Sequence, residues 1–222
     1  MSNDNLDSRA LRYTDTYGQR FMREGIYHYT LVHAGCSGTI DSYPYAIEVT
    51  ENKKSDKMRQ HAIAVSHGDR GFSIEEARIK VAVGDLVTWA CRQSTAPPLE
   101  VAGEKDFFGS SNLVNECGYA HAFCTAGEFR WSDIGGSRAA GVVRVRDPKC
   151  GSQKELATWR ESLSKGALVM INGDKVEPEE VDIATGQTVY FAVIQSKGLS
   201  ITDERVVDAK RKATHGGHPQ QQ

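Results

Sequence analysis

The sequence predicts an all-β protein of the sandwich class. Three observations predict it. The strong segments are short, alternate apolar with polar residues, and end at turn residues. One stretch alone carries helical spacing. An aromatic–glycine pattern also recurs along the chain at a fixed distance. The alternation is clearest in Arg78-Ile79-Lys80-Val81-Ala82-Val83, after which Gly84-Asp85 makes a turn and Leu86-Val87-Thr88-Trp89 resumes as the next strand. Val142-Val143-Arg144-Val145 is a further short run of the same kind. Along a strand, period two puts Tyr119, His121 and Phe123 on one face, and Phe129 and Trp131 face inward together after a turn at Gly127. The helical exception is Ser152 to Leu163, where Leu156, Trp159 and Leu163 recur at helical intervals. Pro148 and Gly151 before it and Gly166 after it supply the stops.

The chain has 222 residues, enough to bury a core without covalent staples. Its formal charge of −2 offers no bulk field for nucleic acid or an anionic membrane. No apolar run approaches the ~18 residues of a spanning helix. The amino-terminal stretch is polar and lacks the pattern of a signal peptide, so the expected location is cytoplasmic. Five scattered cysteines, Cys36, Cys91, Cys117, Cys124 and Cys150, read as thiols and fit no zinc spacing.

From about His61 to Val145 the chain resembles a complete cupredoxin domain of the plastocyanin and halocyanin kind. The likeness rests on Ile79–Trp89 (alternating strand, Gly-Asp turn, strand ending in an aromatic), on Tyr119–Trp131 (alternating strand, tight glycine turn, aromatic-x-aromatic strand) and on the closing Gly141–Val145. It implies a Greek-key β-sandwich over 60–147. The pattern of Phe123–Trp131 recurs at Phe21–Tyr29, and that of Ile79–Trp89 at Val181–Phe191, with the same spacing of 102 residues in each case. The amino end therefore resembles the last half of a cupredoxin and the carboxyl end the first half. A half sandwich cannot cover its own core. The expectation is a second, circularly permuted copy made from 13–50 plus 167–207 around the complete middle one. The rival is exchange of halves between chains. A helical linker over 150–165 and a disordered tail over 211–222 complete this organisation.

The resemblance also designates a blue-copper site, and this chain lacks its ligands. Blue copper takes two imidazoles, a thiolate and a weak axial donor. The thiolate position is Asp133, the second histidine position Gly136, the axial position near Ala139, and the first histidine falls at Pro98 or Leu99. The second copy has Leu31 at its thiolate position. No cofactor is expected, with copper on a nonstandard set as the alternative. The candidates for that set are Cys91, Cys117, His121, His33 and Cys36. Each has a plainer reading as a packed core residue or a surface loop. Cys91, Leu99, Asp133 and Arg138 would line the vacated cavity. His215-Gly-Gly-His218 in the tail could collect metal adventitiously.

No phosphate loop, nucleophile elbow or zinc-protease helix is present. The leading functional reading is a copper-free, non-catalytic binding or assembly subunit, partnered by another protein or by itself. The alternatives are a redox protein with a displaced Cys/His copper site, and an enzyme working from loop residues such as Asp133 and Arg138.

Overall fold

The computed structural model describes residues 5–36, 38, 40–51 and 58–215, with side chains as far as residue 210. Sixteen strands run in order among these residues. The first eight are β1 (Asp15–Arg20), β2 (Gly25–His33), β3 (Tyr45–Thr50), β4 (Gln60–Gly68), β5 (Gly71–Ser73), β6 (Arg78–Ala82), β7 (Leu86–Cys91) and β8 (Leu99–Gly103). The second eight are β9 (Cys117–Ala122), β10 (Gly127–Ser132), β11 (Ala140–Arg146), β12 (Ala167–Asn172), β13 (Lys175–Glu177), β14 (Glu180–Ala184), β15 (Thr188–Gln195) and β16 (Thr202–Asp203). Helix α1 (Gln153–Ser162) lies between β11 and β12, and α2 (Glu204–His215) follows β16. No helix among the described residues is long and apolar enough to cross a membrane.

One eight-stranded sheet, in the order β13-β12-β15-β9-β1-β7-β4-β5, runs through the whole molecule. Two four-stranded sheets, β6-β3-β2-β8 and β14-β11-β10-β16, are layered side by side on one of its faces. Aromatic contacts mark the two interlayer cores. Tyr29 packs on Trp89, Tyr45 and Phe108 in the first half. Trp131 and Tyr119 pack on Phe191 in the second. The alternation read from the sequence holds: Tyr119, His121 and Phe123 are all fully buried, and Phe129 and Trp131 turn inward.

The expected division into domains does not hold. Residues 60–147 do not close a sandwich by themselves, and the two ends do not meet to form another. β6 pairs with β3, β8 with β2, and β7 with β1. Correspondingly, β14 pairs with β11, β16 with β10, and β15 with β9. Each half is thus made from neighbouring residues. The repeat leaves the choice open to pattern reading, because either late half can complete either early half. Contiguous joining closes the shorter loops, which favours it by about 1 kcal/mol or less, and consecutive elements ordinarily pack together. Two smaller expectations change as well. Helix α1 lies within the second half instead of linking two units. Residues 211–215, expected to be disordered, continue helix α2, while 216–222 lie outside the described residues.

The halves are tied together at the middle of the large sheet. There β1 and β9 run antiparallel, with Tyr17 directly opposite Tyr119 and Gly18 opposite Gly118. Each half is also covered by the segment preceding the other half's first strand. Asp203 donates to the Leu6 carbonyl (2.7 Å), and the Ile201 N–H donates to Ser8 Oγ (3.2 Å). In the first half Gly103 donates to the Phe108 carbonyl (2.9 Å), and Val101 N–H donates to Ser110 Oγ (3.1 Å). Leu6 and Phe108, like Ser8 and Ser110, stand 102 residues apart, so the repeat extends into irregular chain.

Candidate functional site

The residues expected around a vacated copper cavity do not converge. Cys91 and Leu99 are buried in the first half, where the Cys91 thiol lies 3.8 Å from Gln93 Oε1. Asp133 belongs to the second half, at the end of β10. Its carboxylate accepts hydrogen bonds from Gly135 N–H (3.0 Å), Ser137 N–H (2.9 Å), Ser200 N–H (2.9 Å) and the Ser200 hydroxyl (3.1 Å). Burial would raise its pKa, but these donors outweigh burial and lower it. Asp133 is therefore the clasp of the 133–139 turn, which corrects its reading as a cavity wall. Arg138 is exposed, and its N–H donates to Asp174 Oδ1 (3.2 Å). A pocket of about 380 Å³ opens at the edge of the first half, between β4 and β6, and none of the candidates lines it.

Cys117 and His121 share the buried face of β9 but not a site. Four residues along a strand separate their Cα atoms by about 13 Å, too far for one ion. Burial pushes the Cys117 thiol up to about 12, so it is a neutral thiol at ordinary pH. His121 is held by Asp15, with Nδ1 2.6 Å from Oδ1, and the Tyr119 hydroxyl donates to the same oxygen at 2.7 Å. Arg12 N–H donates to the other oxygen at 2.7 Å. Burial foremost, then the Asp15 charge, drives the Tyr119 hydroxyl pKa well up, which keeps it a donor. His121 Nε2, fully buried, has no hydrogen-bond partner. This cluster is a buried carboxylate–imidazole–phenol hydrogen-bond network inside the core.

At the rim of the first half the inward-facing rows of two sheets end in imidazoles. His33 closes the row Tyr27, Tyr29, Leu31 on β2. His67 closes the row Ile63, Val65 on β4. The two Nε2 atoms lie 3.4 Å apart. Both rings pack edge-on against Phe72, with centroids 5.3 Å and 4.9 Å away. The Gln93 amide grips the main chain of His67 from both sides, accepting from its N–H and donating to its carbonyl (3.3 Å). Of the candidates read from the sequence, His33 belongs to this cluster, Cys91 touches it through Gln93, and exposed Cys36 occupies the turn after His33. His67 was not among those candidates. It lies 34 residues from His33 in another sheet, and no local motif connects them. No group of three or more His, Cys, Asp or Glu side chains in metal-holding geometry occurs among the described residues.

The largest unclaimed surface is the outer face of the eight-stranded sheet. The four-stranded sheets occupy the other face, and no further layer covers this one among the described residues. Leu168, Met170 and Ile194 are 51%, 44% and 43% exposed there. Leu168 is paired with Tyr190, and Met170 with Ala192. Beyond them the outward positions are Gly118, Ala120 and Ala122 on β9, Thr16 and Gly18 on β1, Leu86, Thr88 and Ala90 on β7, and Ala62 and Ala64 on β4. Among the described residues Arg20 is the charged outward residue within the six inner strands, its guanidinium turned onto the Met58 sulfur, and Arg92 just past β7 donates to Thr16 Oγ1 (3.1 Å) on the same face. On the edge strand β13, Lys175 and Glu177 pair with each other at 3.0 Å. No family model, no curated protein and no solved structure matches this chain.

Proposed function

We propose that this chain is a non-catalytic assembly module that pairs with a second copy of itself through the outer face of its eight-stranded sheet. The observation that carries the reading is that face: uncovered, with exposed Leu168, Met170 and Ile194 at one end and with Arg20 and Arg92 as the charges between its edge strands. Uncovered sheets of soluble proteins ordinarily alternate apolar-in with polar-out, and large exposed apolar patches mark interaction sites. Eight strands at ~4.8 Å spacing and ~17 Å of strand length give roughly 600 Å² in projection. Stable interfaces bury about 600–1,000 Å² per partner, so the whole face covered by one further copy reaches the lower end of that range. Charge complementarity, which gives foreign partners their specificity, has only Arg20 and Arg92 to act on between the edge strands. The Tyr190 ring lies over Gly118 and reaches toward Gly18, and the small residues Ala120, Ala192, Ala62 and Ala64 leave room for a second sheet at the ~10 Å of face-to-face packing.

In this reading each half is a cupredoxin-like Greek-key sandwich that begins at the family's late strands and ends at its early ones. The order of patterns within 15–103 and again within 117–203 supports that. Non-ligand residues at the designated copper positions, Asp133 among them, support an assembly role over blue-copper electron transfer. The test is sedimentation equilibrium of the full chain beside a Leu168→Glu/Met170→Glu variant. The wild type is expected to be dimeric and the variant monomeric with an unchanged circular dichroism spectrum. The dissociation constant should rise at least about a hundredfold, equivalent to ~3 kcal/mol. A wild type that stays monomeric at every concentration, or a variant that dimerises equally well, would overturn the proposal.

A further inference from the structure

We infer that His33 and His67 form a binding site for a divalent transition-metal ion at the rim of the first half, a site separate from the sheet face. The two Nε2 atoms lie within hydrogen-bond reach of one another, 3.4 Å apart. That separation also suits two ligands on one tetrahedral ion, about 3.3 Å for bonds of ~2.0–2.1 Å, so an ion can take the place of the shared proton. Imidazole suits zinc, copper and nickel alike.

The site is also built before an ion arrives. His33 stands at the end of β2 and His67 near the end of β4, so each main chain is fixed by a different sheet. The Phe72 ring, buried between β4, β5 and β2, sets the tilt of both imidazoles. Gln93 pins the His67 main chain. His33 is exposed and His67 half-buried, so the positions not filled by protein open to water. Entry needs no rearrangement. The other half carries no counterpart: Gly135 stands 102 residues after His33, and no histidine occurs in β12 or β13.

The experiment is calorimetric titration of zinc chloride into the untagged full chain, its His33→Ala and His67→Ala variants, and a His215→Ala/His218→Ala variant. One ion per chain is expected in the wild type. Each rim substitution should weaken binding at least about tenfold, on the scale seen when metal-site partners are removed. The tail variant should bind as the wild type does. Nitrogen-detected NMR of the imidazoles guards against misfolded variants, because zinc should shift the Nε2 signals of His33 and His67 together in the wild type. Absence of binding would overturn the site. So would binding that survives either rim substitution, zinc-insensitive Nε2 signals of both histidines, or loss confined to the tail variant.

Discussion

Two buried corners flank the central strand pair, and the 102-residue repeat makes them equivalent by position but not by chemistry. At one corner Asp15 faces His121, and at the other Cys117 faces Gln19. Tyr119 serves the first and Tyr17 the second. Each tyrosine oxygen accepts from a main-chain N–H, of Asp7 (3.3 Å) and Gly109 (3.1 Å) respectively, and these too stand 102 residues apart. Tyr119 then donates to the Asp15 carboxylate, whereas Tyr17 donates to the Gln19 amide oxygen at 2.9 Å. One framework therefore accommodates a carboxylate network at one corner and a neutral amide–phenol hydrogen bond at the other. The difference is one of cost. A buried carboxylate must be fully hydrogen-bonded to be tolerated, and the Gln–Tyr corner shows that the architecture does not require one.

The largest expected effect is at the charged corner. Asp15→Ala strands His121 and the Tyr119 hydroxyl without their acceptor and should cost about 3–5 kcal/mol, read by urea unfolding. Copying the neutral corner onto it, Asp15→Cys with His121→Gln, should be far milder, neutral or stabilising. If the double variant is as damaged as Asp15→Ala, the two corners are not equivalent.

A middle-sized effect separates the facing glycines. A Cβ on Gly118 would run into the Tyr190 ring and meet the Phe191 carbonyl oxygen at 2.8 Å. Gly118→Ala should therefore cost about 2–3 kcal/mol, as overpacking does. A Cβ on Gly18 finds nothing nearer than Leu86 and Thr88 at 3.4 Å. Gly18→Ala should cost less than about 1 kcal/mol by the same measurement. Equal costs would mean that Tyr190 does not lie across Gly118.

The smallest effect is electrostatic. Asp85 accepts from Ala82 N–H (3.0 Å) and Arg59 N–H (2.9 Å) and lies 2.9 Å from His61 Nε2. Gln187 performs the same turn closure in the second half, accepting from Ala184 N–H at 2.7 Å. Burial alone would raise the Asp85 pKa, yet its donors lower it. Its stabilisation is thus fully present above the unfolded value, about 3.9, and is lost as pH falls through the lower folded value. Asp85→Asn should flatten that acid arm and cost about 1 kcal/mol at neutral pH. Gln187→Glu should not create such an arm, because the Gln187 amide nitrogen donates to the Ser162 carbonyl (2.8 Å), which a carboxylate oxygen would repel. An acid limb left unchanged by Asp85→Asn would place the acid sensitivity elsewhere.

The sequence is informative about strands and turns and silent about their grouping. Gly84-Asp85 marks its turn because glycine alone takes a φ of 91° without strain. Alternation locates β6, β7, β10 and β11 because a half-buried strand must alternate. Helix α1 shows in the spacing of Leu156 and Trp159, and Ser152 caps it by accepting from Glu155 N–H. Which early half joins which late half does not show, since both carry the same pattern. The rim histidines could not be paired either: alternation says that each faces inward, but only the packing of two sheets sets them 3.4 Å apart. Asp133 was legible as a residue departing from a ligand pattern, but its four hydrogen bonds depend on Ser200, which is distant in sequence. The outer face was hidden because its residues are small and uncharged one at a time. They become a surface only when six strands align.

The sheet-face proposal is tested most directly at Met170 itself. Peroxide oxidation can be followed by mass spectrometry at rising protein concentration, with Met22 as internal reference. Met22 is 52% exposed in the turn between β1 and β2, outside the strands of the large sheet, and Met170 is 44% exposed on its outer face. Their sulfurs start comparably accessible to oxidant. The account predicts that oxidation of Met170 slows as concentration rises while that of Met22 holds constant. Two rates that stay in fixed ratio across the whole range would contradict it.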